Sequence, residues 1–180
     1  MSDTKLIHLH GKPIAGGALP LICTPLVGRR ADAVLAELAA VLPKKPDLIE
    51  WRVDFFEGVG DTALVINTAR ALKAGAGEIP ILFTRRSTLE GGEKIALVEA
   101  DVVQLYEAVC AARCVDMIDY EMCNEAAYFA RLRQASREAE ILMVASYHNF
   151  LATPDAATLV DKFEEAERLG ADVAKVAVMP

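Results

Sequence analysis

One lysine in this sequence calls for a chemical explanation. Lys175 interrupts Val173-Ala174-Lys175-Val176-Ala177-Val178, and an ammonium among such neighbours is costly to bury. Desolvation and nearby cations favour the neutral amine, and a neutral amine attacks carbonyls to form imines. The competing reading is an ammonium paired with Glu121 or Asp119. The two are compatible, because a carboxylate can also position a reactive amine. Other polar residues recur at alternate positions: Glu50, Arg52 and Asp54; Thr84 and Arg86; Asp119 and Glu121; Ser146 and His148. Along a strand, alternate residues share a face. Lysine, histidine, carboxylates and two arginines on one face suit an anionic keto substrate, held by arginine, activated as an imine and deprotonated by histidine. Glu90, in Glu90-Gly91-Gly92-Glu93, could orient that histidine. Each position also has a plainer reading: an ion pair for Glu50 and Arg52, a turn or cap for Asp54, a structural histidine at 148, a polar loop at 90–93. His8 and His10 read as structural or exposed.

The elements that must position these groups alternate. Apolar runs of strand length lie near 19–25, 47–54, 79–84, 115–121, 141–146 and 172–178. Between them, Val34, Leu38, Val41 and Leu42 fall on one helical face, as do Val98, Val102, Leu105 and Val109, and Leu159, Phe163 and Ala166. Thr153 before Pro154 suits a helix N-cap. Gly170, and Gly75 or Gly77, suit helix ends. Residues 1–17 hold a possible hairpin around Gly11-Lys12-Pro13. Six strands alternating with five helices imply a parallel sheet covered by helices. The turn Thr24-Pro25-Leu26-Val27-Gly28-Arg29 has no G-x-G-x-x-G and no Walker motif is present, so a (β/α) barrel is favoured over a dinucleotide-binding sheet. Polar strand ends then become a barrel mouth, where active sites of this fold form.

Composition narrows the function. The 180 residues are 53% hydrophobic and 25% charged, with a net charge of -7. That supports a single buried core spanning 1–180 and excludes a disordered chain. It offers no basic field for nucleic acid. No export signal and no run long enough to span a membrane are legible, so a cytoplasmic location is expected. Cys23, Cys110, Cys114 and Cys123 form no C-x-x-C pair and read as reduced thiols, with a zinc site or catalytic thiol as alternatives.

Taken together, these strings resemble the type I 3-dehydroquinate dehydratases, the lysine Schiff-base enzymes of the shikimate pathway. The matching stretches are Asp47-Leu48-Ile49-Glu50-Trp51-Arg52-Val53-Asp54-Phe55-Phe56, Thr84-Arg85-Arg86 with Glu90-Gly91-Gly92-Glu93, and Asp116-Met117-Ile118-Asp119-Tyr120-Glu121. Ser146-Tyr147-His148-Asn149-Phe150 with Thr153-Pro154 and the run Gly170 to Pro180 continue the order. The resemblance implies an eight-stranded (β/α)8 barrel and a hydro-lyase. Lys175 would form the imine with 3-dehydroquinate, and His148 would move the protons. Glu90 would orient His148, while Glu50, Arg52 and Arg86 would contact substrate. No metal or dissociable cofactor is implied, and a homodimer is. Arg85 stands where the family often has an aromatic residue, and Pro25 where some members have a serine.

A closed barrel of this kind typically takes about 250 residues. The sequence covers about six βα units, so strands seven and eight and their substrate-binding residues have no counterpart here. The expectation is missing C-terminal sequence, or an open barrel with edges covered by another chain. Two alternatives remain: a class I aldolase-like lyase on the same lysine, and a catalytically incomplete barrel.

Overall fold

A computed structural model describes residues 6–15 and 19–179. Strands β1 (Ile7–Leu9) and β2 (Lys12–Ala15) form an antiparallel hairpin. The rest of the hairpin expected over 1–17 lies outside the described residues. Then follow β3 (Cys23–Leu26), α1 (Ala31–Val41), β4 (Leu48–Arg52), α2 (Thr62–Ala76), β5 (Ile81–Thr84) and α3 (Glu99–Ala111). The series continues with β6 (Met117–Glu121), α4 (Ala126–Ala139), β7 (Leu142–Asn149), α5 (Ala156–Arg168) and β8 (Val173–Val178). Strands β3 to β8 form one parallel sheet in sequence order, each joined to the next through a helix. The six-strand, five-helix alternation read from the sequence is therefore the observed one.

The sheet is strongly curled. Adjacent strands lie roughly 4.8 Å apart, so β4 and β8 would be roughly 19 Å apart in a flat sheet. Instead the Lys175 Nζ on β8 lies 3.3 Å from Glu50 Oε1 on β4. Curling divides the strand residues between two environments. Outward residues such as Ile49, Trp51, Phe83, Ile118, Tyr120 and Met143 pack against Val34, Leu38, Leu72, Val102, Phe129 and Leu132 of the helices. Inward, Leu82, Met117 and Val144 form a small apolar floor with Leu48, Leu142 and Val173, onto which Leu9 and Ile14 of the hairpin pack. The hairpin thus closes the N-terminal end of the half-barrel.

Three aspartates brace that end. Asp47, Asp116 and Asp172 each stand immediately before an even-numbered strand. Each carboxylate accepts a backbone N–H at the foot of the preceding odd strand: Ile22 at 2.8 Å, Ile81 at 2.9 Å and Met143 at 2.8 Å. Asp116 also holds Lys73 at 2.9 Å and His10 at 3.2 Å. Replacing Asp116 by Ala would leave a buried N–H without its acceptor, a cost of about 1–3 kcal/mol. A lowered urea midpoint with an unchanged slope is expected, recovered in large part by Asp116→Asn, whose amide oxygen still accepts.

Several local expectations shift. The first strand begins at Cys23, and Leu19, Leu21 and Ile22 before it are exposed. The second ends at Arg52, because Val53–Phe55 turn into a 3₁₀ helix. Asp54 therefore does not continue the face of Glu50. Asp155, not Thr153, caps α5, accepting the Thr158 N–H at 2.8 Å; the Thr153 hydroxyl instead bonds the Met179 carbonyl. Helix α2 runs through Gly75 and ends at Gly77, which takes φ +62°, a conformation glycine adopts without strain. Gly170, at φ +72°, follows α5 as expected. Helix α5 buries Ala166 alone, leaving Phe163 half exposed, because it packs on β7 and β8 at the sheet edge.

Candidate active site

The inner face above the apolar floor is polar, and its layers follow the register. Glu50, Asp119 and Lys175 each lie three residues after one of the bracing aspartates. They come from alternate strands β4, β6 and β8, the way barrel interiors build a layer. The Lys175 ammonium lies 3.3 Å from Glu50 Oε1 and 3.6 Å from Asp119 Oδ2. It was expected to be buried, but its side chain is 35% exposed, because β8 is an edge strand of the described sheet. Of its expected partners, Asp119 is present, Glu121 is replaced by Glu50. Glu50 also accepts from the Thr84 hydroxyl at 2.9 Å. No Glu50–Arg52 ion pair forms; Arg52 instead donates to both oxygens of Asp54 at 2.8 and 2.7 Å and lies over the Phe55 ring.

Arg86 is the electrostatic centre of the next layer. It is 3% exposed. Its guanidinium meets Asp119 at 2.8 Å, Ser146 at 2.8 Å, Glu121 at 3.2 Å and Glu90 at 3.5 Å. Burial opposes its charge, but Asp119 and Glu121 outweigh that and hold its pKa above the ordinary arginine value. An arginine so engaged neutralises two buried carboxylates and organises the inner face. Asp54 takes a bracing role rather than the local turn or cap weighed for it: its carboxylate accepts the N–H groups of Arg86 at 3.3 Å and Glu93 at 3.0 Å, stapling both ends of the Glu90 loop.

That loop places Glu90 against His148. Glu90 sits at the end of a 3₁₀ turn, 4% exposed, with Oε2 2.8 Å from His148 Nδ1. With Nδ1 held by a carboxylate, Nε2 is the ring atom left for proton transfer. Phe150 stacks on the imidazole, centroids 5.9 Å apart. Ser146 is the β7 partner of Lys175. His148 is therefore one strand across and two residues further toward the mouth, on the same face.

Two glycines permit this loop. A Cβ on Gly91, already at φ +81°, would sit 2.7 Å from the Phe150 ring. On Gly92 it would lie 2.0 Å from the Arg86 carbonyl oxygen. Because backbone cannot yield as a side-chain tip does, Gly92→Ala must displace the loop and separate Glu90 from His148. A loss of activity of about a hundredfold or more is expected, since angstrom-scale misplacement suffices for that, with most of the folding stability retained in a melting experiment.

The sequence left other contributors unmarked. The Tyr106 hydroxyl, on α3, accepts the Arg85 N–H at 2.6 Å and donates to the Asp119 carbonyl at 2.9 Å. It bridges β5 and β6 just where their ladder ends. Arg85 points outward, paired with Glu99, which also accepts from the Tyr120 hydroxyl at 2.7 Å. A tyrosine on an apolar helical face gives no sequence signal of such a bridge. The repeated aspartate three residues before Glu50, Asp119 and Lys175 is a signal that was there to be read.

The cysteines do not supply a thiolate. Cys23 is pushed up to about 12, by desolvation first and Glu50 second; Cys123 is pushed up to about 12 by desolvation, Glu90 and Glu121. Both shifts disfavour the thiolate, which argues against the catalytic-thiol reading. Glu90, Glu121 and Cys123 bring three potential metal-ligand atoms within 4.8 Å. Their carboxylates, however, are already engaged by His148, Arg86 and the Ser87 N–H. No helix among the described residues is long and apolar enough to cross a membrane.

Fold and site together define a (β/α)-barrel protein of the kind that carries a lysine on a polar inner face. Residues 22–180 match the family model of type I 3-dehydroquinase, and the chain belongs to that family. The 3-dehydroquinate dehydratase of Albidiferax ferrireducens is 60% identical over 180 residues, all of this chain and 68% of the relative. The crystal structure of the Geobacillus kaustophilus HTA426 enzyme superposes with a TM-score of 0.93 at 46% identity, covering 99% of this chain and 68% of that one. The type I 3-dehydroquinate dehydratase from Clostridium difficile, with covalently modified comenic acid, superposes with a TM-score of 0.93 at 31% identity, covering 98% and 69%.

Proposed function

We propose that this site dehydrates 3-dehydroquinate to 3-dehydroshikimate through an imine on Lys175, as a step of the shikimate pathway. The observation that carries the proposal is the convergence of Lys175, Glu50 and Asp119 in one inner layer, with the His148–Glu90 pair one strand away on the same face. Lys175 enters as the amine, attacks the C3 ketone and expels its oxygen as water, leaving an iminium. The iminium withdraws electrons from C2, and His148 removes the C2 proton. The resulting enamine expels the C1 hydroxyl, which leaves as water with a proton from His148. Hydrolysis of the imine then releases product and regenerates the lysine. Glu90 holds His148 through Nδ1. Glu50, Arg52 and Arg86 would meet the substrate from the inner face, with Arg86 acting chiefly by fixing the carboxylates. The iminium formed on Lys175 is the electron sink, so the scheme uses no metal or dissociable cofactor.

The direct test is borohydride reduction with 3-dehydroquinate present, followed by peptide mass spectrometry. An adduct confined to Lys175 and requiring substrate is expected. Turnover of 3-dehydroquinate with Lys175 never trapped would defeat the imine route. A panel of aldol substrates, trapped in the same way, separates dehydratase from aldolase chemistry.

A further inference from the structure

We propose that Asp119 is the counter-ion of the Lys175 nitrogen, pairing with the ammonium at rest and with the iminium in the adduct; this rests on the imine chemistry proposed above. The charged and titratable groups on the inner face around that nitrogen are Cys23 from β3, Glu50 from β4, Arg86 after β5, Asp119 from β6 and His148 from β7, of which Glu50 and Asp119 touch it. Among the described residues, only Glu50 and Asp119 carry negative charge within 4 Å of it. They are held very differently. Asp119 is fully buried; its Oδ1 is pinned by Arg86 Nη2 at 2.8 Å and by the Ser146 hydroxyl at 2.6 Å. Its Oδ2 has no hydrogen-bond partner among the described residues and faces Lys175 at 3.6 Å. Glu50 shares its Oε1 between Thr84 and Lys175, and its side chain is 11% exposed.

An ammonium has three N–H donors, and its iminium has one. On imine formation the nitrogen can no longer serve every acceptor, yet it keeps its positive charge. A buried carboxylate fixed on its far side by an arginine and a serine cannot turn away, and a partly buried charge pair is screened less than an exposed one. Arg86 and Ser146 therefore act on the reaction through Asp119. The elimination needs the protonated iminium, since a neutral imine is a weak electron sink. The counter-ion keeps that proton in place.

The experiment is reductive trapping with cyanoborohydride, which reduces iminium rather than neutral imine. Adduct on Lys175 is quantified by peptide mass spectrometry from mildly acidic to mildly alkaline buffer. Wild type, Asp119→Asn, Glu50→Gln and Ser146→Ala are compared with 3-dehydroquinate, and again with glyoxylate, which forms imines with accessible amines generally. Asp119→Asn should lose at least about tenfold of the alkaline-side trapping and recover in acid, as expected for a nitrogen that loses a neighbouring anion. Ser146→Ala, which releases one of the two groups pinning Asp119, should shift the profile in the same direction by less, and Glu50→Gln should lose less alkaline trapping than Asp119→Asn. An Asp119→Asn profile parallel to wild type would overturn the proposal. So would a tenfold or greater loss of alkaline trapping in Glu50→Gln with none in Ser146→Ala, a result that stands even if Asp119→Asn fails to fold. If wild type traps glyoxylate at Lys175 but never 3-dehydroquinate, the substrate reading fails while the glyoxylate comparison still decides the role of Asp119.

Discussion

Lys175→Ala should reduce dehydration of 3-dehydroquinate to background and abolish the borohydride adduct. The argument is covalent. Without the amine no imine forms, and the hydrogen at C2 is then acidified only by a ketone. The His148–Glu90 pair remains in place but has no electron sink to work against. The loss should exceed the roughly 10²–10⁴-fold typical of removing one acid–base group. Lys175→Arg separates charge from nucleophilicity: it keeps a cation near Glu50 and Asp119 but supplies no amine, and should be as inactive as the alanine variant. Lys175 is 35% exposed on an edge strand, so both variants should fold, as judged by circular dichroism. Residual turnover within tenfold of wild type in either would remove the lysine from the mechanism.

The second large effect is expected at His148. His148→Ala should lower kcat by roughly 10²–10⁴-fold, yet the Lys175 adduct should still accumulate under borohydride. The two residues lie at different places on the inner face, and in the proposed scheme imine formation draws chiefly on Lys175 and the carboxylates beside it. Elimination in that scheme draws on a base further toward the mouth. Single-turnover trapping beside steady-state rates makes the split visible. If His148→Ala loses trapping and turnover in equal proportion, the histidine serves imine formation as well, and the division of labour collapses. Glu90→Gln should act in the same direction but less strongly, because the amide oxygen can still hold the Nδ1–H.

Much of the fold was legible because its elements are locally regular. Ile49-Glu50-Trp51-Arg52 and Ile118-Asp119-Tyr120-Glu121 alternate polar and apolar residues, and that alternation already divides a curled sheet into an apolar outer face and a polar interior. The boundaries that moved did so where tertiary contacts intervened. Asp54 leaves the strand because its carboxylate is taken up by Arg52 and by the N–H groups of Arg86 and Glu93. Thr153 yields the cap to Asp155, its own hydroxyl being drawn to Met179. Glu50 and Arg52, neighbours on one strand face, find different partners, since curling brings β8 to Glu50 while the 3₁₀ turn folds Asp54 back onto Arg52.

By itself, the sequence determined the βα alternation, the family and the identity of the polar residues that gather at the mouth, because those depend on residue type and short-range spacing. Tertiary structure decided the pairings. Lys175 and Glu50 are 125 positions apart, and Glu90 and His148 are 58 apart. Only the curl of the sheet makes them neighbours. It also made Arg86 a buried neutraliser of Asp119 and Glu121. Which carboxylate an ammonium or guanidinium meets is set by distance and dielectric in three dimensions, and neither is written in the order of the residues.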